Sequence, residues 1–581
     1  MIAASVRAGC IAAALAAVAW ITWPLMPLAG HGFGGDWGYF LSYLLAGEQW
    51  VRLNGWLSPA YFTPAFCGGI PFLANPQSMQ WSVPQLLFVL LGPAAMPWAL
   101  LMLSAAAGGA GTWLLARRSF GVSAEAASLA CVLFVLNGFL TFRVQGGQAT
   151  YWAFAALPWI AWLVLGGRRF VPGRVVIAAL LLAAMVFGGA LNFVVPAVLG
   201  VAALILLRQV GTGLDFAPWR RLAGACLWSL PVAAIKLAPA AVFTLQYPRR
   251  YLSKALFGDP FVLADALVSG FFWPANLPPT QGMGAGRAYF DISEFEFGVS
   301  VVPAVVILVW AIYMLRAGRR LPHLGAAVLL AALFAVPLAG SAGPLQWGSV
   351  LEHIPVVNNN TLLVRWWVIY MLPLIVLCAV GVEGLVPAPA WRPLVLAGCS
   401  AVAIAQFATR DLATYRSLNR APLIDPASLI AWHERLAAGG TLPPIAELGR
   451  WPPGTETMSS EMAPMSLMGG VSSLPCYEPL FGYALELFPA RALRAGPVED
   501  AGGSFANLAD PRCYLDPGSE SCHPGERFRS GDPAIAAFVS YRPIPWRAPL
   551  WQRAAAWSTV LSLIASAGVL GFAVFARRRP A

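Results

Sequence analysis

Apolar runs of roughly 18 or more residues recur along most of this chain, each long enough to cross a hydrocarbon core about 30 Å thick. Of its 581 residues, 59% are hydrophobic and 11% charged, whereas a soluble globular chain carries about 25% charged residues. The pattern predicts an α-helical polytopic membrane protein. Twelve spans are expected, near 8–28, 94–116, 122–141, 151–166, 174–188, 190–207, 222–245, 298–315, 322–339, 362–382, 391–409 and 555–576. No repeat of fixed short period is visible, and the two halves do not mirror each other.

The basic residues set the orientation. Arg117 with Arg118, Arg168 with Arg169, Arg208 with Arg220 and Arg221, Arg316 with Arg319 and Arg320, Arg392, and Arg577 to Arg579 each follow an even-numbered span. This positive-inside bias predicts a multi-pass protein of a bacterial inner (plasma) membrane with both termini cytoplasmic. The net charge of +11 then encodes orientation and contact with membrane lipids, and gives no argument for nucleic acid. No small-residue cleavage site follows the first span, which reads as a retained anchor. The expected organisation is a multi-span domain over 1–409 with a first outer loop at 29–93. An extracytoplasmic α+β region over 410–554 follows, then a last span and basic tail over 555–581. Further outer loops are expected at 246–297 and 340–361.

Polar function concentrates on the outer side. The first loop opens HGFGGDWGYF and continues CGGIPFLANPQSMQWSVPQLL, carrying Asp36, Glu48, Arg52, Asn75 and Gln77. A carboxylate kept at a bilayer edge is costly unless it has a task, which makes Asp36 and Glu48 candidate catalytic groups. Asp is also a favoured helix N-cap, so capping a helix that begins near Trp37 is the competing reading of Asp36. The third span ends in Arg143, Gln145 and Gln148, the seventh holds Lys236 and leads to Arg249, Arg250 and Lys254, and the tenth begins beside Arg365. Outer-facing arginines run against the orientation rule, and guanidinium matches phosphate oxygens in a two-pronged geometry. Arg143, Gln148, Arg249, Arg250, Arg365, Asn75 and Gln77 are therefore candidate substrate-binding residues. Lys236 is expected either against a carboxylate or lining a polar cavity. Weaker candidates are Asp291, Glu294, Glu296, Glu352 and His353, with Trp37 and Trp81 as possible sugar-stacking platforms.

Of nine cysteines, Cys67, Cys476, Cys513 and Cys522 fall on the outer side, where disulfides persist. The short Cys513–Cys522 interval is a candidate disulfide. No paired CxxC accompanies His523, so no metal site is assigned.

These segments together carry a resemblance. GGDWGYF and CGGIPFLANPQSMQWSVPQLL resemble the first outer loop of bacterial YfhO-type membrane proteins, within the wider superfamily of GT-C glycosyltransferases. GGQATYWAFAALPWI, AAIKLAPAAVFTL, FGVSVVPAVV and the Asn-rich approach to Arg365 follow in the expected order, over roughly residues 30–385. One departure is LLVRWW at 362–367, where the resemblance leads one to expect a proline beside the arginine. The resemblance implies a GT-C-like fold and transfer of a sugar from a polyprenyl-phosphate-linked donor to a cell-envelope glycan, lipid or protein acceptor. It implies Asp36 as the base or acceptor-orienting acid. A divalent metal occurs in the superfamily, though no ligand cluster here requires one. A transporter or flippase of lipid-linked saccharide, and a non-catalytic envelope-assembly scaffold, are the alternative readings.

Overall fold

The computed structural model describes residues 2–167, 171–247, 257, 259–273, 295–319, 323–342, 353, 363–411, 424–449, 463–474, 493–499 and 503–578. Arg249, Arg250, Lys254, Asp291, Glu294, Glu352 and Cys476 lie outside them. Within them, eight helices are long and apolar enough to cross a membrane. They include α1 (Ile2–Thr22), the α3 helix (Val83–Leu114) and α8 (Leu191–Thr212). Every expected span coincides with a helix, but not always with a continuous one.

Two of the expected spans are interrupted. The third expected span is split into α4 (Ala124–Val135) and α5 (Gly138–Gln145). The side chain of Asn137 accepts a bond from the Leu140 amide at 2.8 Å, so Asn137 caps a new helix rather than continuing the old one. The seventh is a pair, α9 (Phe216–Val232) and α10 (Ala234–Gln246), bent by 82°. Pro231 and Pro239 lie inside these two helices and remove backbone donors there. Three other expected spans are shorter apolar helices: the stretch Ala149–Leu165, α7 (Pro172–Phe187) and α12 (Val301–Arg316). A further short apolar helix, α11 (Pro260–Phe272), falls in the expected outer loop at 246–297.

The α4–α5 pair is enclosed by neighbouring helices, whereas α1, Leu324–Ser341 and the last helix turn most of their apolar surface outward. Outward apolar surface of this kind suits lipid, and the chain is a multi-pass membrane protein.

The juxtamembrane helix α2 (Trp37–Asn54) belongs to a second core. Here Trp37, Tyr43, Phe66 and Phe72 of the first loop pack with Leu429, Leu448, Tyr514 and Phe538 of the C-terminal region. That region is α+β: β1 (Glu447–Gly449) pairs in parallel with β2 (Val471–Ser473) and antiparallel with β3 (Gly496–Pro497). A separate ladder joins β4 (Phe505–Ala509) to β5 (Arg527–Arg529). Backbone bridges Phe33↔Ile424 and Phe66↔Ser473 stitch loop and region together.

Cys513 and Cys522 form a disulfide across a sequence separation of 9, and Cys67 is also disulfide-bonded. Closing a loop of that size restricts the unfolded chain by about 2–3 kcal/mol. The double variant C513S/C522S should therefore lower the unfolding midpoint of the outer region measurably in limited proteolysis, with the membrane helices unaffected.

Candidate functional site

The site is built where two glycine pairs meet. Gly35 precedes Asp36 in the first outer loop, and Gly146–Gly147 form the turn after α5. The Asp36 amide donates to Gly146 O at 2.9 Å, and the Trp37 indole donates to Gln145 O at 3.1 Å. Gly147 has φ +91°, and a Cβ there would lie 2.1 Å from the Trp37 nitrogen. A Cβ on Gly35 would lie 2.7 Å from Gly146 O. Side chains at either position would hold the two loops apart.

This approach delivers the Asp36 carboxylate to Gln148. Asp36 occupies the N-cap position of α2, yet its side chain makes no capping bond. Its Oδ2 instead accepts from Gln148 Nε2 at 2.9 Å. Gln148 Oε1 accepts in turn from Arg143 Nη1 at 2.5 Å. The reverse orientation would set the amide NH2 against a guanidinium and its oxygen against a carboxylate, so the ends of this path determine which way the amide points. Asp36 is exposed, while Arg143 is 1% exposed. The Arg143 guanidinium carbon lies 5.4 Å from the Phe139 ring centroid and 4.9 Å from that of Tyr151. Desolvated cation–ring contacts of this type are worth about 2 kcal/mol each.

Other named residues surround this centre at different removes. Asn75 is fully buried, donating to the Tyr43 hydroxyl at 2.5 Å and accepting from the Gln77 amide at 2.8 Å. It shapes the NPQ turn of the first loop. A Cβ on Gly189 would lie 2.6 Å from Gln77 O and 2.9 Å from the Thr150 methyl carbon, so this turn and the residues after Gln148 pack on the same glycine. Lys236 is buried just beyond the α9–α10 break and donates to Ser78 O. Its partner in this contact is a backbone carbonyl of the first loop rather than a carboxylate.

Arg365 begins the tenth span half-buried, in the turn Leu363–Tyr370. Glu296 is buried, with Oε1 2.1 Å from where a Gly138 Cβ would stand, at the opposite end of α5 from Arg143. His353 is exposed. Both tryptophans are committed to the fold: Trp37 is buried, and Trp81 donates to Trp56 O at 2.7 Å and meets Phe187 edge-on.

Glu48 stands apart from Asp36. Twelve helical residues separate them on α2, about 18 Å along its axis. Glu48 is fully buried, ion-paired with Arg52 at 2.7 Å and in contact with the His433 ring nitrogen Nδ1 at 3.0 Å. His433 comes from the helix Pro426–Ala437, which packs beside the Gly92 kink of α3. Sequence spacing offers no route to His433, which lies 385 residues away. The contribution of Gly35 and Gly147 was readable only as two GG pairs preceding polar residues. Among the described residues, no group of three or more His, Cys, Asp or Glu is arranged to hold a metal ion.

Fold and site together define a multi-pass helical membrane protein with an exposed carboxylate held at one end of an enclosed helix pair. No protein-family model and no curated protein matches this chain. Among solved structures, the crystal structure of the Archaeoglobus fulgidus oligosaccharyltransferase in the apo form is similar over 88% of this chain and 69% of that one, at 14% identity and a TM-score of 0.38.

Two substitutions probe the geometry. G147A should lower the thermal midpoint by the equivalent of about 2 kcal/mol or more, since both backbone conformation and space oppose it; an unchanged midpoint would show that the loops do not meet. R52A should destabilise more than E48A, by about 2 kcal/mol or more, because it takes the guanidinium from a buried carboxylate and leaves it the His433 contact, whereas E48A strands a partly solvated cation. Thermal unfolding of the full chain in detergent reads both.

Proposed function

We propose that the protein is a GT-C-type membrane glycosyltransferase. In this reading it transfers a sugar from a polyprenyl-phosphate-linked donor to an envelope glycan, lipid or protein acceptor on the outer side of a bacterial inner membrane, with both termini cytoplasmic. The observation that carries the reading is the state of Asp36: an exposed carboxylate at the membrane edge, unused as a helix cap and held by Gln148. The run of arginine clusters after even-numbered spans and the ordered resemblance to YfhO-type proteins support it further.

The chemistry follows from charge placement. An acceptor hydroxyl attacks the anomeric carbon as the bond from that carbon to the phosphate oxygen breaks. The bonding pair leaves with the polyprenyl phosphate, and the hydroxyl proton passes to Asp36. Attack opposite the departing phosphate inverts the anomeric centre. Negative charge grows on the leaving phosphate, and cations of the outer face, Arg365 with Arg249 and Arg250, are the groups to stabilise it. Asn75 and Gln77 shape the loop wall next to the base. Glu48, remote on α2 and paired, contributes to docking of the C-terminal region rather than to proton transfer.

The flippase reading is favoured by one observation: the seventh span is broken beside Lys236, and broken helices are common in transporters. Proteoliposomes supplied with undecaprenyl-phosphate-linked [14C]mannose or [14C]glucose and envelope acceptor separate the two. The enzyme reading expects sugar transfer that falls by about 100-fold or more in D36N. Transfer by D36N at the wild-type rate removes Asp36 as the base. Movement of lipid-linked sugar across the bilayer without any transfer overturns the enzyme reading.

A further inference from the structure

Arg143 is poorly placed to bind a donor phosphate directly. Its guanidinium is 1% exposed, faces the rings of Phe139 and Tyr151, and spends Nη1 on Gln148. A phosphate could take that nitrogen only by displacing the glutamine. Gln148 is pinned twice to the same residue, because its backbone amide also donates to Arg143 O at 2.8 Å. Its side chain then ends 2.9 Å from Asp36 Oδ2. The Gly35 and Gly147 approach keeps the two loops at contact distance, so the path has little freedom to open.

We propose that Arg143 and Gln148 are positioning residues for Asp36: Arg143, clamped on aromatic rings, orients the Gln148 amide, and that amide aims the carboxylate and favours its ionised form. The inference rests on the reading of Asp36 as the base, and it deepens that reading. A donor bond and a nearby buried positive charge both favour a carboxylate over a carboxylic acid. The glutamine serves as a spacer that links the Arg143 guanidinium to the Asp36 carboxylate through one amide.

The test reads Asp36 without relying on catalysis. A carbodiimide with glycine methyl ester couples to protonated carboxyls, and mass spectrometry of the peptide carrying Asp36 reports labelling against pH in the full-length protein in detergent. R143M should raise the half-labelling pH by about 1 unit and Q148E by about 2 units, since Q148E brings a second carboxylate against the first. R143K, which keeps a cation, should stay close to wild type. A purely structural role for Arg143 and Gln148 would lower thermal stability but leave the midpoint in place. An unchanged midpoint in Q148E overturns the proposal, as does failure of Asp36 to label at any pH, because the proposal requires an accessible carboxyl. The outcome is separable from that of the transfer assay. Shifted midpoints without sugar transfer would keep the relay and remove the enzyme reading. Loss of transfer in D36N with unshifted midpoints would do the reverse.

Discussion

The close approach of two backbones, Gly35 to Trp37 on one side and Gln145 to Gly147 on the other, is the constraint on which the candidate site depends. A loop that follows the first span is tied there to the end of the third by an amide bond, an indole bond and a side-chain amide. Without a Cβ at Gly147, the peptide after Asp36 can lie directly on that turn. Everything that makes Asp36 chemically interesting follows from this contact. It sets where α2 begins, which direction that helix takes and which side chain meets the carboxylate.

From that anchor α2 runs into a core shared with the far end of the chain. Its buried face packs against residues more than 380 positions later, and at its far end Glu48 meets His433. The C-terminal region thus shares one apolar core with the first loop. A buried carboxylate held by Arg52 and by the His433 ring specifies how the two pieces register, because a misplaced partner would leave a charge in a dry site. The same core explains the commitments of Trp37 and Tyr43: they fill interior space and hold the loop's shape.

Much of the fold was legible in the residues. Span positions followed from apolar run length, since a bilayer imposes one length scale on every crossing segment. The GGDWG and GGQ segments, which meet in the structure, stood out as polar residues in expensive places. Less legible was how those segments act. Arg143 read as an outward cation because its position in sequence gives its height in the membrane but not the direction its side chain takes. That direction depends on the break at Asn137, where a capping side chain starts a new helix inside what reads as one continuous apolar run. The bend at Ala233 was hidden for the same reason: hydropathy is averaged over a window and does not register a turn of one or two residues. Lys236 shows the limit of partner guessing from composition, since it meets a backbone carbonyl, and every residue carries one.

By itself the sequence determined the class of protein, the approximate spans and the short set of polar residues from which any outer site must be drawn, because hydrophobic length and charge asymmetry are local properties that the bilayer reads directly. Only the tertiary structure decided which of those residues work together. It joined Asp36 to Gln148 and Arg143 across 112 positions, sent Glu48 to a histidine from another region, and buried the arginine that composition alone would leave facing outward. Such choices rest on contacts between chain segments remote in sequence, where packing space and hydrogen-bond direction, rather than residue type, select the partner.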